Sequence, residues 1–260
     1  MNLQSLIFDT HAHYDDKRFD QDREKFLSTP QSHGILGLIN VGTDLGSSQT
    51  GVFYAKKYKH IYCSIGVHPI CINNLPSNYL SILENLTHNK KVVAVGEIGL
   101  DYHYNPHSKE EQMKRFEEQL ELAAKLNLPI IIHSRDSVKN TLDIIKNAHP
   151  KRFVVHCFSY DPETAAKILE MGGFLGFTGI LTFKNSKHIR ETLQLTPFEK
   201  TLIETDCPYM APEPFRGERC DSRMLISVAS TIAKQKQLPL KKTITTLNEN
   251  ARKFFFEAIK

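Results

Sequence analysis

Six residues with metal-ligand side chains, His11, His13, Glu97, His133, His156 and Asp206, each close a short strand-like run of the chain. Four imidazoles and two carboxylates are costly to gather in one place unless a divalent cation neutralises and orders them. His11-Ala12-His13 sets two imidazoles two residues apart, on one face of an extended strand. Taken alone that pair is a weak signal. The weight comes from Glu97, His133, His156 and Asp206, which fall at the carboxyl ends of the fourth, fifth, sixth and eighth runs. That is the end at which barrel enzymes carry their catalytic groups.

The elements that must position these residues are eight apolar, β-branched-rich runs: 6–13, 35–41, 61–68, 92–100, 129–133, 153–158, 174–177 and 201–206. They are almost continuously hydrophobic, as expected of parallel strands covered on both faces. Polar segments of helical period separate them. In one, 110–126, Met113, Phe116, Leu120, Ala123 and Ala124 share a face, Ser108 and Glu111 read as a capping box, and Pro129 bars continuation. Eight such alternations predict a single (β/α)8 barrel domain over residues 1–260. The irregular stretch 208–222, with Pro208, Pro212, Pro214 and Gly217, follows the last run and is a candidate substrate wall. From Asp221 onward the chain reads as helical, with Pro239 dividing two helices and Phe254, Phe255 and Phe256 docking the second.

Apolar residues at 40% and charged residues at 24% are ordinary for a globular protein and exclude disordered and membrane-spanning classes. No basic start with an apolar stretch and a small-residue cleavage site opens the chain, so a cytoplasmic location is expected. Five cysteines without a Cys-x-x-Cys pair argue for reduced thiols over a disulfide framework or a zinc ribbon. Cys157 and Cys207 each follow a candidate ligand, and an extended strand would turn both thiols to the opposite face. The net charge of +4 slightly favours an anionic substrate.

At this point the residues meet a known family. The chain resembles the TatD-type deoxyribonucleases, a branch of the amidohydrolase-like metal hydrolases. The segments that carry the resemblance are Phe8-Asp9-Thr10-His11-Ala12-His13, Gly66-Val67-His68-Pro69, Gly96-Glu97-Ile98-Gly99-Leu100-Asp101-Tyr102, Ile132-His133-Ser134-Arg135, Val155-His156-Cys157-Phe158, Gly179-Ile180-Leu181-Thr182-Phe183 and Glu204-Thr205-Asp206-Cys207-Pro208-Tyr209. The resemblance implies a (β/α)8 barrel, a site for two divalent cations, and hydrolysis of phosphodiesters in DNA, often from the 3′ end. It also implies that His11, His13 and Asp206 hold one metal and His133 and His156 the other, with Glu97 between them. A bridging carboxylate suits two cations about 3.5–4 Å apart with a shared water. Many amidohydrolase relatives use a carbamylated lysine there; Lys90 and Lys91 precede the strand, so Glu97 fills the role unmodified. Asp206, touching metal and water, is the expected proton acceptor. Imidazoles favour zinc or manganese, whereas the family is usually described as magnesium-dependent, so Mg2+, Zn2+ and Mn2+ all stay open.

Other positions carry two readings. His68 either touches the scissile phosphate or hydrogen-bonds a ligand. Arg135, Lys184 and Arg216 are candidate phosphate contacts, with surface ion pairs as the plain alternative for Arg135 and Lys184. Asp101 and Tyr102 are expected to shape the loop after the fourth run, with direct substrate contact as the alternative, and His103 and His107 to be solvated. The loops show no row of aromatics for stacking bases. Family members commonly carry Arg-Gly-x-x-Asn-Glu-Pro after the eighth run; here Arg216 and Gly217 match, but Cys220, Asp221 and Ser222 replace the last three. Asp221 is a candidate helix cap. The expected partner is DNA, preferably single-stranded, with RNA as a further possibility and neither a membrane nor an obligate protein partner. The alternative is hydrolysis of an ester or amide, such as an aminoacyl-tRNA bond, since one metal pair serves many hydrolyses.

Overall fold

The computed structural model describes residues 6–104 and 107–257. Eight parallel strands, β1 (Ile7–Ala12), β2 (Ile35–Val41), β3 (Ile61–Ile65), β4 (Val92–Asp101), β5 (Ile130–Arg135), β6 (Phe153–Val155), β7 (Phe174–Phe177) and β8 (Thr201–Ile203), form one sheet in sequence order. An Ala12–Cys207 bridge closes it, with the His13 N–H donating to Cys207 O (2.8 Å) and the Asp206 N–H to His11 O (2.9 Å). The expected (β/α)8 barrel is what the chain forms.

Among the described residues the helices are α1 (Arg23–Ser28), α2 (Leu45–Lys57), α3 (Tyr79–Leu86), α4 (Lys109–Leu126), α5 (Val138–Ala148), α6 (Pro162–Glu170), α7 (Lys187–Leu195), α8 (Leu225–Lys236) and α9 (Leu240–Phe255). α4 starts where Ser108 accepts the Glu111 N–H (3.1 Å), and Pro239 separates α8 from α9. Phe116 and Leu120 of α4 pack with Ile144, Ile168, Ile189, Val228 and Ile244 of other helices against Val95, Ile98, Ile132, Val155 and Ile203. Burial of these apolar faces is the main favourable term in forming the shell. A second cluster joins Phe8, Ile39, Val93, Ile131, Val154 and Leu202 to Phe254 and Phe255, and the Phe254 ring meets Phe174 at the start of β7 (4.9 Å). Phe256 stays exposed. No helix among the described residues is long and apolar enough to cross a membrane.

Three strands stop three residues before their apolar runs end: β3 at Ile65, β6 at Val155 and β8 at Ile203. His156 therefore stands in a turn just past β6 and Asp206 at φ 58°, whereas His68 keeps extended backbone (φ -64°, ψ 145°) as the cap of a short 3-10 turn. The residues between, Gly66, Val67, Glu204 and Thr205, are buried at the mouth of the barrel, and a buried run does not show in sequence whether its backbone is extended.

Candidate metal centre

β4 departs from a regular strand where the site needs it. Its register against β5 slips between Val95 and Ile98. Gly96 sits at φ 153°, where a Cβ would approach Ile131 Cβ to 2.6 Å, and a Cβ on Gly99 would meet His133 O at 2.0 Å. Only glycine admits such close approach. Glu97 thus lies inside β4 at an irregularity, not at its end, and its N–H reaches across to Gly42 O (2.8 Å).

Around Glu97 the structure gathers all six expected ligands. The two carboxylate oxygens face different partners. Oε2 lies 3.4 Å from His11 Nε2 and 3.7 Å from His13 Nε2. Oε1 lies 2.6 Å from His156 Nε2, 2.9 Å from His133 Nδ1 and 3.5 Å from His68 Nε2. Asp206 Oδ1 completes the first side, 3.4 Å from His13 Nε2 and 3.8 Å from His11 Nε2. Three sets of possible ligands result: His11, His13 and Asp206; His11, Glu97 and His156; and His68, Glu97 and His133, each with donor atoms within 4.8 Å of one another.

The donor set fits cations. His11 Nε2 and His13 Nε2 are 3.0 Å apart, and His133 Nδ1 and His156 Nε2 are 3.2 Å apart. Imidazole nitrogens about 2.0–2.1 Å from one tetrahedral ion would stand roughly 3.4 Å apart. Charge points the same way. Burial alone would push the Glu97 carboxyl up, yet His156, His68, His11 and His133 hold it well below the usual carboxylate range. Burial opposes charge on His13 and His133 too, but carboxylates overcome it: Asp206 and Glu97 raise His13 to about 9, and Asp101 and Glu97 raise His133 to about 9. His11, buried and beside His156, is lowered to about 4. Without a cation, the ionised carboxylates hold protons on His13 and His133 instead.

A further ring of groups fixes the imidazoles. His13 Nδ1 lies 3.0 Å from Val41 O, and His133 Nε2 lies 3.0 Å from Asp101 Oδ2. Asp101 also shapes its loop as expected, its Oδ1 accepting the His103 and Tyr104 N–H groups (both 3.0 Å). Glu204 Oε1 accepts the Cys157 N–H (2.5 Å) and lies 3.8 Å from His156 Nδ1; burial raises its carboxyl to about 7. Asp9, raised to about 6 by burial, accepts from Thr205 Oγ1 and Ser222 Oγ (2.6 Å each).

Sequence reasoning missed Glu204 and two glutamines of α4. Gln119 pairs with Val67 through its N–H (2.7 Å) and carbonyl (3.1 Å), and Gln112 does the same for Asp101 (2.9 and 3.0 Å). The available signal was two glutamines seven residues apart on the face that carries Phe116 and Leu120, where a polar side chain must have a buried partner.

The centre forms the floor of a cavity of about 710 Å³ at the mouth of the barrel, also lined by His68, Arg135, Tyr104 and Tyr209. Glu97 there is 4% exposed. Several expectations need correction. Lys184 and Arg216 are exposed and do not line this cavity; Arg216 lies over the Phe183 ring, 4.1 Å from its centroid. A position just after a strand does not reveal whether its side chain faces the cavity. Cys157, at φ 44°, is not on a strand and lines the cavity, whereas Cys207 is fully buried beside Cys220 and Ala12. All five cysteines are free thiols. His103 pairs with Asp136 (3.1 Å) at the surface.

The altered segment after β8 is structural in this chain. Asp221 caps the short 3-10 turn Ser222–Met224 by accepting the Arg223 N–H (2.9 Å). Besides its hydroxyl bond to Asp9, Ser222 donates its N–H to Tyr14 OH (3.1 Å). A proline at 222 would supply neither donor.

A parallel eight-stranded barrel with imidazoles and carboxylates gathered around a central glutamate at its mouth is the architecture of the barrel metal-dependent hydrolases. The comparisons agree. The model of the family described as TatD related DNase matches residues 8–256, and the chain belongs to that family. It is 35% identical over 252 residues to the uncharacterized metal-dependent hydrolase YabD of Bacillus subtilis, covering 96% of this chain and 99% of the relative. It is 32% identical over 259 residues to the uncharacterized metal-dependent hydrolase YcfH of Escherichia coli, covering 97% of each. Among solved structures, the TatD homolog YJJV of Escherichia coli superposes with a TM-score of 0.89 at 27% identity, covering 97% of this chain and 98% of that one.

Proposed function

We propose that this metal-dependent hydrolase cleaves phosphodiester bonds of DNA, with two divalent cations per chain, and acts by preference on single-stranded or frayed 3′ ends. The observation that carries the reading is the division of Glu97: one oxygen faces His11 and His13, the other His133 and His156. A single carboxylate so placed serves two neighbouring cations. The description of the family as TatD related DNase supports the choice of substrate. When bound, the cations supply Lewis acidity, lowering the pKa of a water and neutralising charge on phosphoryl oxygens.

The chain's own residues do the rest. His11, His13 and Asp206 would hold one cation and His133 and His156 the other, with Glu97 presenting one oxygen to each group. Asp206, whose side chain is 13% exposed to the cavity, accepts the proton of the attacking water. Arg135, half-buried in the wall, binds the phosphate. His68, its Nε2 3.5 Å from Glu97 Oε1, orients that carboxylate and faces the phosphate. Lys184 and Arg216, outside the cavity, are left with phosphates farther along a strand. Because the floor lies beneath the rim residues Tyr104 and Tyr209, an end of single strand reaches it and an intact duplex does not.

The test is turnover of labelled single-stranded DNA, RNA, blunt duplex, a covalently closed duplex circle, a small phosphodiester and an aminoacyl ester, each with Mg2+, Mn2+ and Zn2+. Single-stranded DNA should be cut fastest. Equal cleavage of the closed circle would replace end-directed action with an open-groove endonuclease, and turnover of the aminoacyl ester alone would replace the phosphodiester reading.

A further inference from the structure

Two exposed tyrosines flank the cavity, one on each side of the imidazole cluster. Tyr104 follows β4 and is 64% exposed; Tyr209 follows β8 and is 47% exposed. In a barrel whose strands run in sequence order, β4 and β8 stand opposite one another. A strand spacing of about 4.8 Å and a tilt of about 36° put opposite walls roughly 15 Å apart. Each ring is tied through its backbone to the centre. The Tyr104 N–H donates to Asp101 Oδ1 (3.0 Å), whose other oxygen meets His133, and the Tyr209 N–H donates to Asp206 O (2.9 Å).

Each ring also carries a guanidinium from the adjacent strand end. Arg135, closing β5, lies 4.9 Å from the Tyr104 centroid, and Arg18, after β1, lies 4.3 Å from the Tyr209 centroid. An accessible aromatic face beside a cation matches a nucleotide, which is a flat ring joined to an anion. The two platforms differ in charge. Arg18 is held bidentate by Asp16 (2.9 and 2.8 Å), so its charge is largely neutralised, whereas Arg135 points into the cavity wall.

We infer that Tyr104 and Tyr209 are base-stacking platforms that clamp the nucleotides on either side of the scissile phosphate of a single-stranded nucleic acid, with Tyr104 and Arg135 gripping base and phosphate together. The inference rests on the phosphodiester reading above. Stacking is tolerant of base identity, so the clamp fixes where the strand lies without selecting its sequence. It also favours unpaired ends, because a paired base has no free face to offer.

The test compares the metal-loaded wild type with Tyr104→Ala, Tyr209→Ala and the corresponding Phe variants. The substrates are a single-stranded oligonucleotide and the same strand with abasic residues at its terminal and penultimate positions. Each Ala variant should lose about tenfold in kcat/KM on the normal strand, with Tyr104→Ala the more affected, while the Phe variants retain activity. On the abasic strand the Ala variants and the wild type should converge. A 2-aminopurine in the penultimate position should be quenched on binding wild type and less so on binding the Ala variants. An equal loss on both strands, or no loss, overturns the clamp. Failure of the wild type to cut any nucleic acid with any of the metals overturns the phosphodiester reading itself, and the clamp with it.

Discussion

The two sides of the imidazole cluster are supported differently. On the β1–β8 side, His13 leans on a backbone carbonyl, Val41 O (3.0 Å), while the carboxylate of Asp206 faces the donor atoms directly. On the β5–β6 side, the carboxylate stands behind the ring, with Asp101 3.0 Å from the far nitrogen of His133. A carboxylate behind an imidazole fixes its orientation and raises its basicity, whereas one at the front is a ligand with an oxygen left to exchange protons. Under the proposed roles, the same kind of group serves reactivity on one side and rigidity on the other.

The largest effect should come from removing what the two sides share. Glu97→Ala should strip metal from both, leaving fewer ions per chain after dialysis than Asp206→Asn does, measured by elemental analysis. Equal occupancy in the two variants would contradict bridging. Asp206→Asn should next lower turnover about 10²–10⁴-fold, the usual share of a positioned proton acceptor, with the fold intact by circular dichroism and the β5–β6 cation retained. A variant that keeps most of its activity would remove Asp206 as the base. Asp101→Asn, acting only on the β5–β6 side, should weaken one of the two metal-binding steps about 10–100-fold, seen as one shifted phase in a calorimetric titration. A uniform shift of both phases would erase the distinction between the sides.

Proton competition gives a smaller and graded effect. His13 and His133 are both raised to about 9, so in the metal-free protein both are protonated below that pH and must shed a proton to become ligands. Metal affinity should fall as pH drops from about 9 toward 6, about tenfold per pH unit for each proton displaced. Asp101→Asn should flatten that slope by lessening the proton affinity of His133. An affinity independent of pH across this window would contradict the arrangement.

Legibility in the sequence followed the same division. His11, His13 and His133 stand in or directly beyond strands, so periodicity located them. Glu97 was found by the run it sits in, but not the bulge that turns it, because Gly96 and Gly99 show their purpose only against Ile131 and His133. Asp101, Glu204, Gln112 and Gln119 act on partners brought close by the barrel, and no local pattern encodes such pairing. Tyr104 and Tyr209 form no row in the chain and become a pair only when the sheet closes. Lys184 and Arg216 show the converse, since a charge following a strand does not say whether its loop turns inward or away.

The most direct test of the central claim is anomalous diffraction from crystals soaked in Zn2+ or Mn2+. Two peaks are expected at the mouth of the barrel, one between Glu97 and the His11–His13–Asp206 group and one between Glu97 and the His133–His156 pair. A single peak, or a second one that does not touch Glu97, would contradict the bridged centre.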